Sequence, residues 1–163
     1  MEHPPVALDE ILAQNRVSVA NQAEGPVRTK GDALTRLAAM LASGQQAVSE
    51  ERIRDVLTER EKLQSTGVGG GVAVPHGSVQ ELDKQVGALL ICPEPIDFDA
   101  IDGAPVSILF ALVGPKGAPA QHLKVLAKVS RLLRQEAFRA KLVDVHAGVE
   151  AYDLIVANSR GAP

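Results

Sequence analysis

Aromatic side chains are scarce: they make up 2% of the 163 residues, with three Phe, one Tyr and no Trp. The core must therefore be built from Leu, Val, Ile and Ala, and the rings that base-stacking nucleic-acid platforms need are missing. No block of Lys and Arg occurs and the net charge is −3, so there is no footprint for a phosphate backbone and no nucleic-acid partner is expected. A protein partner with a positive patch is compatible with that balance. Cysteine is limited to Cys92, inside an apolar run. That reads as a buried thiol in a reducing compartment, with no disulfide within the chain. No apolar stretch approaches the ~20 residues of a bilayer span. The opening Met1-Glu2-His3-Pro4-Pro5 has neither the basic start nor the apolar centre of a signal peptide. A cytoplasmic protein without membrane insertion is expected.

What is present is 45% hydrophobic residues, enough for one domain over 1–163 with its core over about 8–156. A helical turn is expected around Leu8 to Leu12 and a strand over Arg16 to Ala20. Asn21 to Val27 reads as a loop, punctuated by Gly25-Pro26. Thr29 caps a helix starting at Lys30, with Asp32 completing a capping-box-like arrangement and Gly44 stopping it. Leu34, Leu37, Ala38 and Leu41 give that helix one apolar face. Ser49 caps a second helix with Ile53, Val56, Leu57 and Leu63 as its apolar stripe. Val86 to Cys92 and Val106 to Val113 read as long buried strands. The interruption over Pro93 to Asp102 and the turn at Asp102-Gly103 suggest a hairpin, hence a mixed sheet. Helices are expected over Pro119 to about Gln135, over Ala137 to Asp144, and over Val149 to Val156.

The most unusual stretch is Thr66-Gly67-Val68-Gly69-Gly70-Gly71-Val72-Ala73-Val74-Pro75-His76-Gly77. Its glycines allow a sharp turn with bare backbone against a ligand, and Val72 to Val74 enters as a strand. Neither nucleotide signature fits. Gly71 is followed by Val72 and Ala73 instead of Lys-Ser/Thr, and the dinucleotide glycine spacing fails at Val72 and Val74. His76, between Pro75 and Gly77, reads either as a solvated loop residue or as a nucleophile or ligand at a strand end. Arg60 falls on the inward stripe of its helix. It must then meet an anion at the glycine loop, or reach the rim or a neighbouring Glu59 or Glu61. His122 lies on the buried face in the first turn of the Pro119 helix, where the partial positive charge disfavours imidazolium and suits an anion. Its alternative is a core histidine satisfied by a backbone carbonyl.

Two imidazoles, a guanidinium and loop N–H groups together suit a phosphoryl group, towards which neutral imidazole is a good nucleophile. No Walker lysine or Mg²⁺-binding set accompanies them, which points to a phosphoprotein as donor and to no cofactor. A zinc site wants three or four ligands, and His3 and His146 have no ligand spacing to the other histidines. Asp97, Asp99 and Asp102 lack the glycine and distal glutamate of a calcium loop and read as solvated turn carboxylates. No metal site is expected.

Glu59-Arg60-Glu61-Lys62-Leu63, followed by Ser65-Thr66 and the glycine stretch through Pro75-His76-Gly77, resembles the type-2 enzyme IIA domain of the bacterial phosphoenolpyruvate-dependent phosphotransferase system. Phe98-Asp99-Ala100-Ile101-Asp102-Gly103-Ala104-Pro105-Val106 and the helix from His122 to Leu133 fit the same family, which includes fructose- and mannitol-type IIA domains and a nitrogen-regulatory branch. The resemblance implies an α+β fold, a three-layer α/β/α sandwich with a mixed sheet between helices. It implies that His76 accepts a phosphoryl group from an HPr-like phosphocarrier, with His122 and Arg60 as the other active-site residues. Thr66, Gly69, Gly70, Gly71 and Gly77 are then the phosphoryl-binding frame. Downstream partners would be regulatory proteins or a IIB domain, and a free-standing chain of this length looks most like the nitrogen-regulatory branch. One departure is Gly70, where the family often carries Asn: glycine supports the turn but supplies no side-chain hydrogen bond.

Overall fold

A computed structural model describes residues 7–160. At its centre lies a six-stranded sheet in the order β1 (Leu12–Val19), β5 (Val86–Ile96), β6 (Val106–Pro115), β3 (Val72–Ala73), β2 (Gly67–Gly69), with β4 (His76–Val79) also paired to β6. β5 and β6 are antiparallel, with Val86 opposite Val113 and Ile91 opposite Ile108. β1 runs parallel to β5, and β3 and β4 run parallel to β6. The sheet is mixed, as the hairpin signal predicts.

Both central strands are apolar on both sides because both sides are covered. Ala88, Leu90, Cys92, Leu109, Ala111 and Val113 belong to one core. It is roofed by α2 (Lys30–Ala42) and α3 (Glu50–Leu63) through Leu34, Leu37, Leu41, Ile53 and Leu57. The alternate residues Leu89, Ile91, Ile108, Phe110 and Leu112 join a second core. There they meet α1 (Leu8–Ile11), α4 (Pro119–Leu133), α5 (Glu136–Val143) and α6 (Gly148–Arg160). The period-two side-chain alternation of a strand thus divides one continuous apolar run between two helical layers. Cys92 is fully buried and burial pushes its thiol up to about 11, so it is an inert core residue.

The predicted caps form. The Thr29 hydroxyl accepts from the Asp32 N–H at 3.0 Å and the Ser49 hydroxyl from the Arg52 N–H at 3.1 Å. Gly44 follows the end of α2 with φ +80°, a conformation that favours glycine.

Three expectations need correction. β1 begins at Leu12, directly after α1, and not at Arg16. β5 continues past Cys92 to Ile96: the prolines at 93 and 95 fall in a register shift between Ile91 and Ile96, where no ladder N–H is required of them. The third concerns α3. Its buried residues are Ile53, Leu57 and Glu61, while Leu63 is 83% exposed. Arg60 is therefore not on the inward stripe but half-buried beside it. The inward position of the last turn is taken by Glu61, which Lys30 pairs at 2.7 Å, so Arg60 and Leu63 are turned outward.

Candidate functional site

The site forms where the interrupted strand β3–β4 runs along β6. Val72 and Ala73 pair with Ile108 and Leu109, the chain breaks at Val74-Pro75, and pairing resumes with His76 opposite Leu112. Proline has no N–H for a ladder, but the Pro75 carbonyl still accepts from the Leu112 N–H at 2.9 Å, so the break is held in register. His76 shares the sheet face of Leu112, the side that α4 covers. The next residue, Gly77, faces α3, and a Cβ there would lie 2.3 Å from Val56 Cγ1. Gly77 therefore lets α3 approach closely behind the histidine.

The His76 and His122 rings, 46 positions apart in sequence, stand 5.7 Å apart between centroids, tilted by 51°. His76 Nδ1 donates to the Val74 carbonyl at 2.7 Å. A carbonyl can only accept, so the proton sits on Nδ1 and the lone pair on Nε2 is free. Burial is the main cause that pushes the His76 pKa below its ordinary value; Arg60 lowers it further, while the Val74 carbonyl and Glu61 work the other way. His122 is likewise lowered, by burial and then by His76. Both rings are thus held neutral near pH 7, the state in which imidazole is a nucleophile. His122 Nδ1 donates to the side-chain oxygen of Gln85 at 2.8 Å, so its partner is a side chain and not the backbone carbonyl of the alternative considered above.

Arg60 lines the cleft beside His76, together with Thr66, Val68, Val74, Leu126 and Ser130, in a cavity of about 330 Å³. Its guanidinium donates to the Gln64 carbonyl at 2.8 Å, which closes the end of α3 and holds the charge at the cleft. Neither Glu59 nor Glu61 is its partner: Glu59 pairs with Lys62 and Glu61 with Lys30.

The glycine stretch is a hairpin turn. Gly69, Gly70 and Gly71 have φ of +98°, +68° and +79°, and they fold β2 back on β3. The Asp102 carboxylate accepts from the Gly70 N–H at 3.2 Å and from the Ala104 N–H at 3.1 Å, and so braces the turn. Gly69 and Gly70 do not line the His76 cavity; with Arg134 and Arg139 they line a neighbouring cleft that shares Val68 and Ser130 with it. Thr66 lines the His76 cavity, but both its N–H and its hydroxyl donate to Glu61, at 3.0 and 2.6 Å. Thr66 and Gly69 to Gly71 thus shape the site, and the donors of Thr66 and Gly70 point to carboxylates of the chain itself.

Two further side chains stand behind these residues: Glu61, which the sequence suggested only as a partner for Arg60, and Gln85, to which it gave no role. Glu61 is 6% exposed and takes a 2.7 Å ion pair from Lys30 besides the two Thr66 bonds. Burial alone would raise its pKa, but the hydrogen bonds from Lys30 and Thr66 outweigh that and hold the carboxyl below the ordinary range. The Thr66 carbonyl in turn accepts from the Val74 N–H at 2.9 Å, and Val74 holds His76. The spacing 53, 57, 61 on α3 was the available signal for Glu61. The second is Gln85, 4% exposed, the polar residue directly before the apolar run of β5.

Among the described residues no group of three or more His, Cys, Asp or Glu could hold a metal ion; His3 lies outside them. No helix in the described residues is long and apolar enough to cross a membrane.

A family model described as "Phosphoenolpyruvate-dependent sugar phosphotransferase system, EIIA 2" matches residues 10–158. The chain is 46% identical over 118 residues to a nitrogen regulatory protein of Bradyrhizobium diazoefficiens, covering 71% of this chain and 75% of that one. It is 33% identical over 151 residues to the nitrogen regulatory protein of Pseudomonas aeruginosa, covering 93% and 96%. The crystal structure of nitrogen regulatory protein IIA-Ntr from Neisseria meningitidis superposes with a TM-score of 0.82 at 32% identity, covering 92% of this chain and 99% of that one.

Proposed function

Since the chain belongs to the EIIA 2 family of the phosphoenolpyruvate-dependent sugar phosphotransferase system, we propose that it is a histidine phosphocarrier whose acceptor atom is His76 Nε2. The observation that carries this reading is the pairing of two neutral imidazoles 5.7 Å apart, one of them fixed by Val74 with its Nε2 lone pair free. That lone pair attacks phosphorus in line with the P–N bond of an incoming phosphohistidine. The P–N electron pair returns to the donor's ring nitrogen, and His76 keeps its Nδ1 proton against the Val74 carbonyl. No oxidant, metal or nucleotide enters the step. Arg60 faces the charge that spreads over the three phosphoryl oxygens, and His122 supplies a hydrogen bond from the α4 side.

Thr66, Gly69, Gly70, Gly71 and Gly77 serve as the frame that sets where His76 stands. The donor is an HPr-like phosphocarrier, and the setting is the cytoplasm, where such carriers work. The likeness to two nitrogen regulatory proteins supports a role in which the phosphorylation state of His76 toggles protein partners, rather than one that feeds a sugar permease through a IIB domain.

Incubation with phosphoenolpyruvate, enzyme I and an HPr-like carrier is expected to add one phosphate, labile in acid and stable in alkali, and His76→Ala is expected to remove it. A His76→Ala protein that still takes the label would refute the assignment. Chasing the phosphoprotein with IIB-type acceptors separates the two roles, since a purely regulatory protein passes nothing on.

A further inference from the structure

Gln85 is an odd residue for its place. It is 4% exposed, packed flat against Gly114, whose missing Cβ would lie 2.1 Å from the amide oxygen. Its oxygen accepts from His122 Nδ1 at 2.8 Å, while its Nε2 is buried without a hydrogen-bond partner among the described residues. An unpaired buried amide nitrogen is costly, and an apolar side chain of similar size would relieve that cost. What such a side chain could not do is choose which nitrogen of His122 carries the proton.

We propose that Gln85 is a positioning residue of the phosphoryl site: its amide oxygen keeps a proton on His122 Nδ1, so that His122 hydrogen-bonds the group on His76 through Nε2 by binding one further proton. The inference rests on the phosphocarrier reading of His76. A ring with Nδ1–H facing Gln85 has a bare lone pair at Nε2, which repels a phosphoryl oxygen. It becomes a donor there once it is imidazolium, with Nδ1–H on the Gln85 oxygen and Nε2–H on the phosphoryl oxygen. Arrival of the dianionic group supplies the charge that favours this form, so acceptance of the phosphoryl group takes up a proton at His122.

The charged surroundings leave that role to His122. His76 is the ionisable residue of β4, and β6 has none. Arg60 and Glu61 on α3 act on His76. Asp83 and Lys84 beside Gln85, and Lys124 on α4, are exposed. Lys128 and Arg131 lie further along α4, and Arg139 of α5 is bound to the carbonyls of Leu133 and Arg134.

The test is the tautomer of each ring, read from two-bond proton–nitrogen correlation spectra of the ¹⁵N-labelled full chain. In the unphosphorylated wild type, neutral His122 is expected as the Nδ1–H form. Gln85→Leu and Gln85→Met are expected to switch His122 to the Nε2–H form, with the His76 signals unchanged. Gln85→Glu is expected to restore Nδ1–H and raise the His122 midpoint. Neutral wild-type His122 found as Nε2–H overturns the proposal without any variant, and so does a folded Leu or Met variant with an unaltered tautomer. After phosphorylation, the His122 midpoint is expected to rise. Between its two midpoints, the equilibrium constant for phosphoryl acceptance should fall up to tenfold per pH unit in wild type relative to Gln85→Met, a ratio in which the donor's own titration cancels. An unmoved midpoint overturns the proton uptake. Failure of His76 to take the group overturns the phosphocarrier reading instead, while the tautomer measured beforehand still decides the role of Gln85.

Discussion

The two sides of β6 are built on opposite plans. Towards β5 the ladder is long and antiparallel, and the paired stretches Val86–Ile91 and Ile108–Val113 contain no ionisable residue. Towards the glycine hairpin its partners are β3 and β4, of two and four residues and broken at Val74-Pro75, with the three-residue β2 beyond β3. Val72, Ala73, Val74 and Val79 still pack into the cores, but the braces added along that edge are polar: Glu61 on Thr66, Asp102 on Gly70, and Ser65, whose hydroxyl donates to the Phe98 carbonyl at 2.9 Å. A ladder of apolar strands is rigid but offers no chemistry. The broken strand exposes one ring nitrogen, and the polar braces restore the stiffness that the missing ladder would have given.

The sharpest way to break this contrast is to damage each side in turn. Leu90→Ala, in the fully buried centre, should cost about 2–5 kcal/mol in denaturant unfolding. The phosphoryl-acceptance rate of the folded protein should stay at the wild-type value, because no bond of the His76 chain is touched. Glu61→Ala should cost somewhat less, about 2–4 kcal/mol, since Lys30 keeps partial access to water. It should nevertheless slow acceptance, because Thr66, Val74 and His76 are linked in series behind it. Equal rate losses in the two variants would erase the distinction between frame and core.

The same contrast decides what was legible in the sequence. Hydrophobic runs and caps announce themselves, so the β5–β6 hairpin, the Thr29 and Ser49 caps and the α4 face followed from spacing. His76 and His122 stood out because imidazoles at a strand end and on a buried helical face are anomalies. The braces did not stand out. Glu61 looks like one more charge in Glu59-Arg60-Glu61-Lys62, and only the packing of Lys30 and Thr66 shows that it is buried while Arg60 is at the rim. A burial phase set by an ion pair is invisible to a reading that ranks positions by hydrophobicity, and it turned the last helical turn away from the expected stripe. Gln85 was missed for the same reason, since its partner lies 37 positions away.

A smaller lesion sharpens the comparison from within the broken strand. Gly77→Ala sets a methyl group 2.3 Å from Val56 Cγ1, on the side of β4 opposite the histidine. The clash should cost about 1–3 kcal/mol. Because strand β4 or helix α3 must give way, the His76–His122 spacing should change with it. The comparison to make is Gly114→Ala on β6, where the crowded atoms are those of Gln85. In proton–nitrogen spectra Gly77→Ala should move the His76 signals first and Gly114→Ala the His122 signals first.

The smallest expected effect is the dependence of stability on acid, and it separates the two plans without any strain. His76 and His122 both titrate below the ordinary histidine value of 6.5, chiefly through burial. As pH falls below that value the unfolded chain binds protons that the folded site resists. Stability should therefore decline on acidification from pH 7 towards 5, with a slope of at most about 1.4 kcal/mol per pH unit for each ring. Glu61 contributes in a different window. Its folded value lies below 4.5, so its contribution is complete above that pH and is lost only as pH drops further. The central ladder adds to neither window, having nothing to titrate. Denaturant midpoints measured from pH 7 to 5 should hence flatten in a His76→Gln, His122→Gln double variant and keep the wild-type slope in Leu90→Ala. A double variant that retains the full slope would move the acid sensitivity away from this pair of rings.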